Sequence, residues 1–230
     1  MTIAENVAAV RAEIARAARR AGRDPAEVRL VAASKMNGAD RVREAILAGV
    51  DACGENRVQE MLEKQQQGAY AGTSLHFIGH LQKNKVKQVV GLAELIHSID
   101  SLSLLEAVSR AAVARGVAQQ VLLEVNIGAE SSKSGFAPEE IPGALEAAAN
   151  LPNLWVRGLM AIPPICASGE ENRPFFLRMQ QLFIDNSKKK YDNVSMDFLS
   201  MGMSGDYPEA IACGANVVRV GSAIFGPRVY

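Results

Sequence analysis

Two rhythms of apolar residues alternate along the chain. In the opening stretch Ile3, Val7, Val10 and Ile14 recur at three- and four-residue spacing, while Arg11, Glu13, Arg16 and Arg20 fall mostly on other faces; this predicts an amphipathic helix. Gly22 and Asp24-Pro25 stop it. Val28-Arg29-Leu30-Val31-Ala32-Ala33 then runs without a turn residue, as a strand buried on both faces of a parallel sheet does. Further strand-like segments cover 50–56, 75–79, 95–99, 121–127, 154–162, 198–201 and 216–221. Between them, helix-like patterns cover 40–48, 58–66, 83–90, 102–115 and 170–187, and others open at Pro138 and Pro208. Eight strands separated by helices, with no run of consecutive strands, call for a parallel sheet closed on itself. We expect an α/β fold, a single (β/α)8 TIM-type barrel domain over residues 1–230 with a leading helix over 1–21. An open doubly wound sheet is the runner-up, but it would leave two sheet edges and would favour a glycine-rich dinucleotide turn after the first strand. Ser34-Lys35-Met36-Asn37-Gly38 is not such a turn.

Composition narrows the function classes. The 230 residues suit one barrel. The 25 basic and 25 acidic side chains cancel, so no overall field draws the protein to nucleic acid or an anionic membrane. Small or locally bound ligands are expected instead. Cys53, Cys166 and Cys213 are odd in number and far apart, which argues against a disulfide framework or a zinc site and fits a reducing compartment. Neither a signal-peptide core nor a membrane-length apolar run is present, and Glu5 and Glu13 are unusual in a transit peptide, so a soluble, cytoplasmic protein is expected.

The apolar run at 28–33 leads, through Ser34, to one lysine, Lys35. Ligands of parallel α/β folds bind at that end of the strands. A lysine held partly out of water there favours its neutral amine, a nucleophile able to form a Schiff base with an aldehyde. A solvated lysine is the plainer reading of that residue alone. The barrel expectation, however, places any phosphate cradle in the loops after strands seven and eight. Those loops are Ser200-Met201-Gly202-Met203-Ser204-Gly205-Asp206 and Arg219-Val220-Gly221-Ser222, both offering glycine N–H groups and serine hydroxyls. Asp206 and Glu209, around Pro208, start a helix whose N-terminal dipole points the same way. Arg219 alternates with Val218 and Val220 and shares a face with Gly221, so it needs a paired or hydrogen-bonded partner. An imine-forming lysine, a phosphate cradle and a planar fork donor together suggest pyridoxal 5′-phosphate.

Several ordered motifs also carry a family resemblance. Leu30-Val31-Ala32-Ala33-Ser34-Lys35, Gly54-Glu55-Asn56-Arg57-Val58-Gln59-Glu60, His76-Phe77-Ile78-Gly79-His80-Leu81-Gln82-Lys83-Asn84-Lys85, Ser132-Lys133-Ser134-Gly135-Phe136, Gly158-Leu159-Met160-Ala161-Ile162, Ser200-Met201-Gly202-Met203-Ser204-Gly205-Asp206 and Arg219-Val220-Gly221-Ser222-Ala223-Ile224-Phe225-Gly226 span nearly the whole chain. With them the sequence closely resembles the pyridoxal phosphate homeostasis proteins (the YggS/PROSC family), single-domain relatives of the barrel domain of bacterial alanine racemase. The resemblance implies a protein that binds pyridoxal 5′-phosphate through a Schiff base on Lys35, and a monomer is expected. It implies that Asn56 lines the cofactor face, that Ser204, Gly221 and Ser222 hold the phosphate, and that Arg219 faces the pyridine nitrogen. It also implies cofactor storage and supply to pyridoxal phosphate-dependent apo-enzymes rather than robust catalysis. Two departures are visible: Cys53 stands where an aromatic residue often precedes Gly-Glu-Asn, and the chain stops soon after Phe225-Gly226.

Two other functional classes compete with a carrier. One is an amino-acid racemase, which in this fold uses a second domain to supply an acid–base tyrosine; the chain ends where that domain would begin. The other is a phosphate-binding barrel enzyme without cofactor, with Lys35 as an aldolase-type base. His76 and His80 are four apart on a strand-to-loop segment with no completing carboxylate, so no metal site is expected. Lys188-Lys189-Lys190 is read as a solvated run serving a helix C-terminus. Lys133 is read first as a solvated loop lysine and second as an anion contact at the barrel mouth. Met201 and Met203 are read as packing. Cys166, with no base visible, is given no nucleophilic role.

Overall fold

The computed structural model describes residues 1–130, 133–164, 168–189 and 191–227; Ser131, Ser132, Cys166 and Lys190 lie outside them. Helix α1 (Ile3–Arg20) starts on a reciprocal cap in which the Thr2 hydroxyl accepts from the Glu5 N–H and the Glu5 carboxylate accepts from the Thr2 N–H. Its buried stripe is Ile3, Val7, Val10, Ile14, Ala17 and Ala18. Then follow β1 (Arg29–Ala33), α2 (Ala39–Leu47), β2 (Ala52–Glu55), α3 (Val58–Gln66), β3 (Ser74–Phe77), α4 (Val86–Val89), β4 (Leu95–Ile99) and α5 (Leu102–Arg115). The chain continues through β5 (Gln119–Val125), α6 (Ile141–Ala149), β6 (Leu154–Ala161), α7 (Arg173–Ser187), β7 (Val194–Ser200), α8 (Tyr207–Ala212), β8 (Val217–Val220) and α9 (Ser222–Phe225).

All eight strands pair in parallel with their sequence neighbours, and β1 pairs with β8 to close the barrel. The expected (β/α)8 fold is therefore the observed one. Because α9 is only four residues long, α1 packs against α8, α9 and α2 and fills the place in the outer ring that a longer final helix would take. Asn6 secures it by donating to the Ile224 carbonyl at 2.8 Å, and Arg23 by donating to the carbonyls of Ile211 and Ala215 at 3.0 and 2.8 Å.

Some boundaries differ from the sequence reading. The helix expected over 83–90 is a 3₁₀ turn (Lys83–Lys85) followed by the single turn of α4, which Gly91 ends at φ +76°. The helix expected at Pro138 starts with a 3₁₀ turn (Pro138–Glu140) and becomes α-helical at Ile141. Strand β7 begins at Val194 rather than Phe198. Ser195 and Asp197 make its first half look like loop, but Asp197 is bound by Arg157 of β6 at 2.6 Å, which holds that half in the sheet.

The larger core lies between strands and helices. Inside the barrel, Val31, Ala52 and Val217 form one small apolar cluster and Leu95, Leu122 and Met160 another, with Phe198 against both. Gly158 allows β6 and β7 to approach: it lies at φ +141°, and a Cβ there would sit 2.0 Å from the Phe198 carbonyl oxygen. We predict that Gly158→Ala lowers stability by about 3 kcal/mol, from backbone strain plus overpacking, measured by urea unfolding. A loss below about 0.5 kcal/mol would contradict the close approach.

Candidate functional site

The C-terminal ends of β1 and β8 meet at the barrel mouth. The loop after β1 carries half-buried Lys35, and α9 begins directly after Gly221. A cavity of about 290 Å³ lies between them, lined among others by Lys35, Asn37, Arg41, Gly221, Ser222 and Phe225. Its described lining includes a lysine and an arginine and no carboxylate. That donor set suits an anion, and a phosphate ester in particular.

Ser204, from the loop after β7, belongs to the same corner. Its hydroxyl oxygen accepts from the N–H groups of Gly221 and Ala223 at 3.1 and 3.3 Å, so both donors already converge on one oxygen position. Of the acids expected to start the next helix, Asp206 binds the Met203 N–H at 2.6 Å and the Asn172 amide at 2.9 Å, and Glu209 pairs with Arg173. These bonds hold the loop and α8.

Arg219 is buried in the barrel interior. It donates to the Ser200 hydroxyl at 2.5 Å and to the Ala161 carbonyl at 3.0 Å. Burial pulls its pKa down to about 10, opposed by Glu124 and Asp206, so it stays charged near neutrality. Ser200 Oγ continues to His97 Nδ1 at 3.0 Å, and His97 Nε2 to His76 Nδ1 at 3.0 Å. Arg219 can only donate, so Ser200 Oγ accepts from it, and the ring nitrogen of His97 that carries the proton sets the direction of the other two bonds. Burial pushes His76 down to about 4. It pushes His97 well below the ordinary value, with His76 and Arg219 adding to the shift.

Asn56 lines a second cavity of about 290 Å³, together with Gly79, His80, Ser98, Glu124 and Lys133. Its buried Oδ1 has no hydrogen-bond partner among the described residues, which leaves an acceptor for a ligand. Burial, and the Asp100 carboxylate after it, push the Glu124 carboxyl up to about 7, with Arg219 opposing. Lys133 is not the solvated loop lysine expected. Its ammonium pairs with Glu130 at 2.6 Å and donates to the Pro163 carbonyl at 3.1 Å.

The structure thus brings Lys35, Gly221, Ser222 and Ser204 to one corner, sets Arg219 in the interior and places Asn56 on a separate cavity. Sequence reasoning missed Arg41, whose position in the first turn of a helix looks solvated; its guanidinium donates to the Phe225 carbonyl and to Asn37 Oδ1. It also missed the His76–His97–Ser200 chain, whose members come from three strands.

A parallel barrel with a lysine at its first strand end and, beside it, an anion-suited cavity with no carboxylate in its described lining defines a lysine-bearing (β/α)8 ligand-binding barrel. The sequence matches the family described as "Alanine racemase, N-terminal domain" over residues 6–229. It is 45% identical over 229 residues to the pyridoxal phosphate homeostasis protein of Pseudomonas aeruginosa, covering 100% of this chain and 97% of that one. It is 40% identical over 230 residues to that of Aquifex aeolicus, covering 100% of both. PipY of Synechococcus elongatus, solved with PLP bound, matches with a TM-score of 0.84 at 32% identity, covering 98% of this chain and 100% of that one. The chain belongs to the alanine racemase N-terminal domain family, among the pyridoxal phosphate homeostasis proteins.

The buried histidines give the protein a pH signature. As the pH falls below 6.5 the unfolded chain protonates both, while the folded chain keeps His76 neutral down to about 4 and His97 neutral well below the ordinary value, so stability falls on acidification. Glu124 acts oppositely between 4.5 and about 7, because there the folded state holds the extra proton. Two protons against one leave a net loss on the order of 1 kcal/mol from pH 6 to 5. Unfolding free energies at several pH values should show that slope, and His97→Asn should largely flatten it. An unchanged slope in the variant would contradict a neutral buried His97.

Proposed function

We propose that the protein holds pyridoxal 5′-phosphate as a reversible Schiff base on Lys35 and supplies it to pyridoxal phosphate-dependent apo-enzymes. The observation that supports this most is the cavity that pairs Lys35 with Gly221 and Ser222 and contains a second cation but no described carboxylate. The bound group supplies an aldehyde that condenses reversibly with an amine, releasing water. Lys35 provides the amine. The N–H groups of Gly221 and Ala223, with the hydroxyls of Ser204 and Ser222, receive the phosphate, and Arg41 adds a positive charge at that end. Arg219, held in place by Ser200 and the Ala161 carbonyl, would offer a donor that is charged at neutral pH to the pyridine nitrogen. A guanidinium at that position would keep a facing ring nitrogen unprotonated, which would weaken the ring as an electron sink and favour holding over turnover. Asn56 offers its unused acceptor to the same face.

Two measurements test this reading. Borohydride reduction of the loaded protein followed by peptide mapping should find pyridoxyl-lysine at Lys35, and Lys35→Ala should lose both the adduct and the visible absorbance while remaining folded. An adduct mapped only to another lysine would remove the assignment. The loaded protein should also activate an apo-enzyme at a rate that rises with acceptor concentration and survives a scavenger of free pyridoxal phosphate, while racemising and transaminating common amino acids negligibly. A rate that ignores acceptor and collapses with the scavenger would reduce the function to storage. Robust amino-acid turnover lost in Lys35→Ala would make a racemase the better reading.

A further inference from the structure

The reading of Lys35 leaves one charged cluster without a role. Glu55, the last residue of β2, is fully buried, and its Oε1 accepts from three donors: the Ser34 hydroxyl at 2.6 Å, the Lys64 ammonium at 2.6 Å and the Tyr70 hydroxyl at 3.0 Å. Lys64, buried on α3, also donates to the Ser34 carbonyl at 2.8 Å and lies 3.6 Å from the Glu60 carboxylate. Glu60 Oε2 in turn accepts from the Met36 N–H at 2.8 Å. Ser34 and Met36 are the two chain neighbours of Lys35. The cluster therefore grips the backbone on both sides of that lysine, and the Asn37 amide holds the Lys35 carbonyl between them at 3.0 Å.

Stability alone accounts poorly for this arrangement. A buried ion pair is often no better for folding than apolar residues of the same volume. Met36, moreover, sits at φ +62°, a left-handed conformation that a side-chain-bearing residue keeps only where its surroundings over-determine it. The Glu60 carboxylate on its N–H is such a constraint. We propose that Glu55, Lys64 and Glu60 are positioning residues for Lys35: they lock the peptide groups before and after it, so that its side chain leaves the strand end toward the cavity shared with Gly221 and Ser222. This rests on Lys35 being the imine-forming lysine. Glu55, Lys64 and Glu60 contribute no side chain to the cavity lining, which the cluster meets through the Met36 N–H alone, and none of them bonds Ser204, Gly221 or Ser222, so the cluster should govern covalent capture and leave recognition of ring and phosphate alone.

The test uses Glu60, the partly exposed member, because removing Glu55 or Lys64 singly would strand a buried charge. Two ligands separate the steps: pyridoxal 5′-phosphate, which can condense, and pyridoxine 5′-phosphate, the alcohol analogue that cannot. Wild-type protein is first reduced with borohydride and mapped; absence of an adduct at Lys35 there would sink the reading of Lys35 itself, before any variant is made. With the adduct present, Glu60→Ala should weaken pyridoxal 5′-phosphate binding roughly tenfold and slow borohydride trapping, while pyridoxine 5′-phosphate affinity stays within roughly twofold of wild type. Glu60→Gln, which keeps an acceptor for the Met36 N–H, should recover most of the loss. Equal losses for both ligands, no loss for either, or an Ala variant matching the Gln variant would each overturn the positioning role.

Discussion

Because all eight strands run in one direction and β1 closes on β8, the chain delivers the C-terminal end of every strand to one rim. That constraint places residues nearly two hundred positions apart in sequence around a single cavity. Lys35 follows the first strand and Gly221 the last, and only closure makes them neighbours. It also explains the leading helix: with the final helix reduced to one turn, α1 covers the part of the ring nearest the site and ties the chain after β8 through the Asn6 bond to the Ile224 carbonyl.

The barrel interior is organised around a charge that persists at neutral pH. Arg219 brings a guanidinium into the centre of the sheet, and the interior answers with a hydroxyl, a carbonyl and two histidines kept neutral by burial. Each buried donor passes its demand to the next acceptor, so the orientation of the arginine is set by a chain that reaches across β7, β4 and β3. The Glu55–Lys64–Glu60 cluster applies the same logic beside Lys35. In both cases a side chain suited to ligand contact is backed by polar partners that are themselves held by the sheet or by a helix.

Much of this was legible in the sequence, and the misses have physical causes. The apolar run at 28–33, with a lysine just beyond it, and the paired glycine–serine loops marked the barrel and its mouth, because parallel strands buried on both faces leave continuous apolar segments. The first half of β7 was illegible, since Ser195 and Asp197 look like a turn until Arg157 on the adjacent strand is seen to bind the aspartate. Lys64 was missed because lysines are rarely buried; its one signal was a place on the same helical stripe as buried Met61. The histidine chain had no local signal at all. His76 and His97 are ordinary residues of separate strands until the sheet curls, and the tempting pair in sequence, His76 with His80, is not the pair that forms: His80 turns instead to Asp100 at 3.2 Å.

A crystal structure of the protein grown with pyridoxal 5′-phosphate is the most direct test of the account. Continuous density is expected from Lys35 Nζ into the ligand, with its phosphate against Ser204, Gly221 and Ser222 and the Arg219 guanidinium facing the ring nitrogen. A ligand bound elsewhere on the barrel, or seated in the cavity without a bond to Lys35, would contradict it.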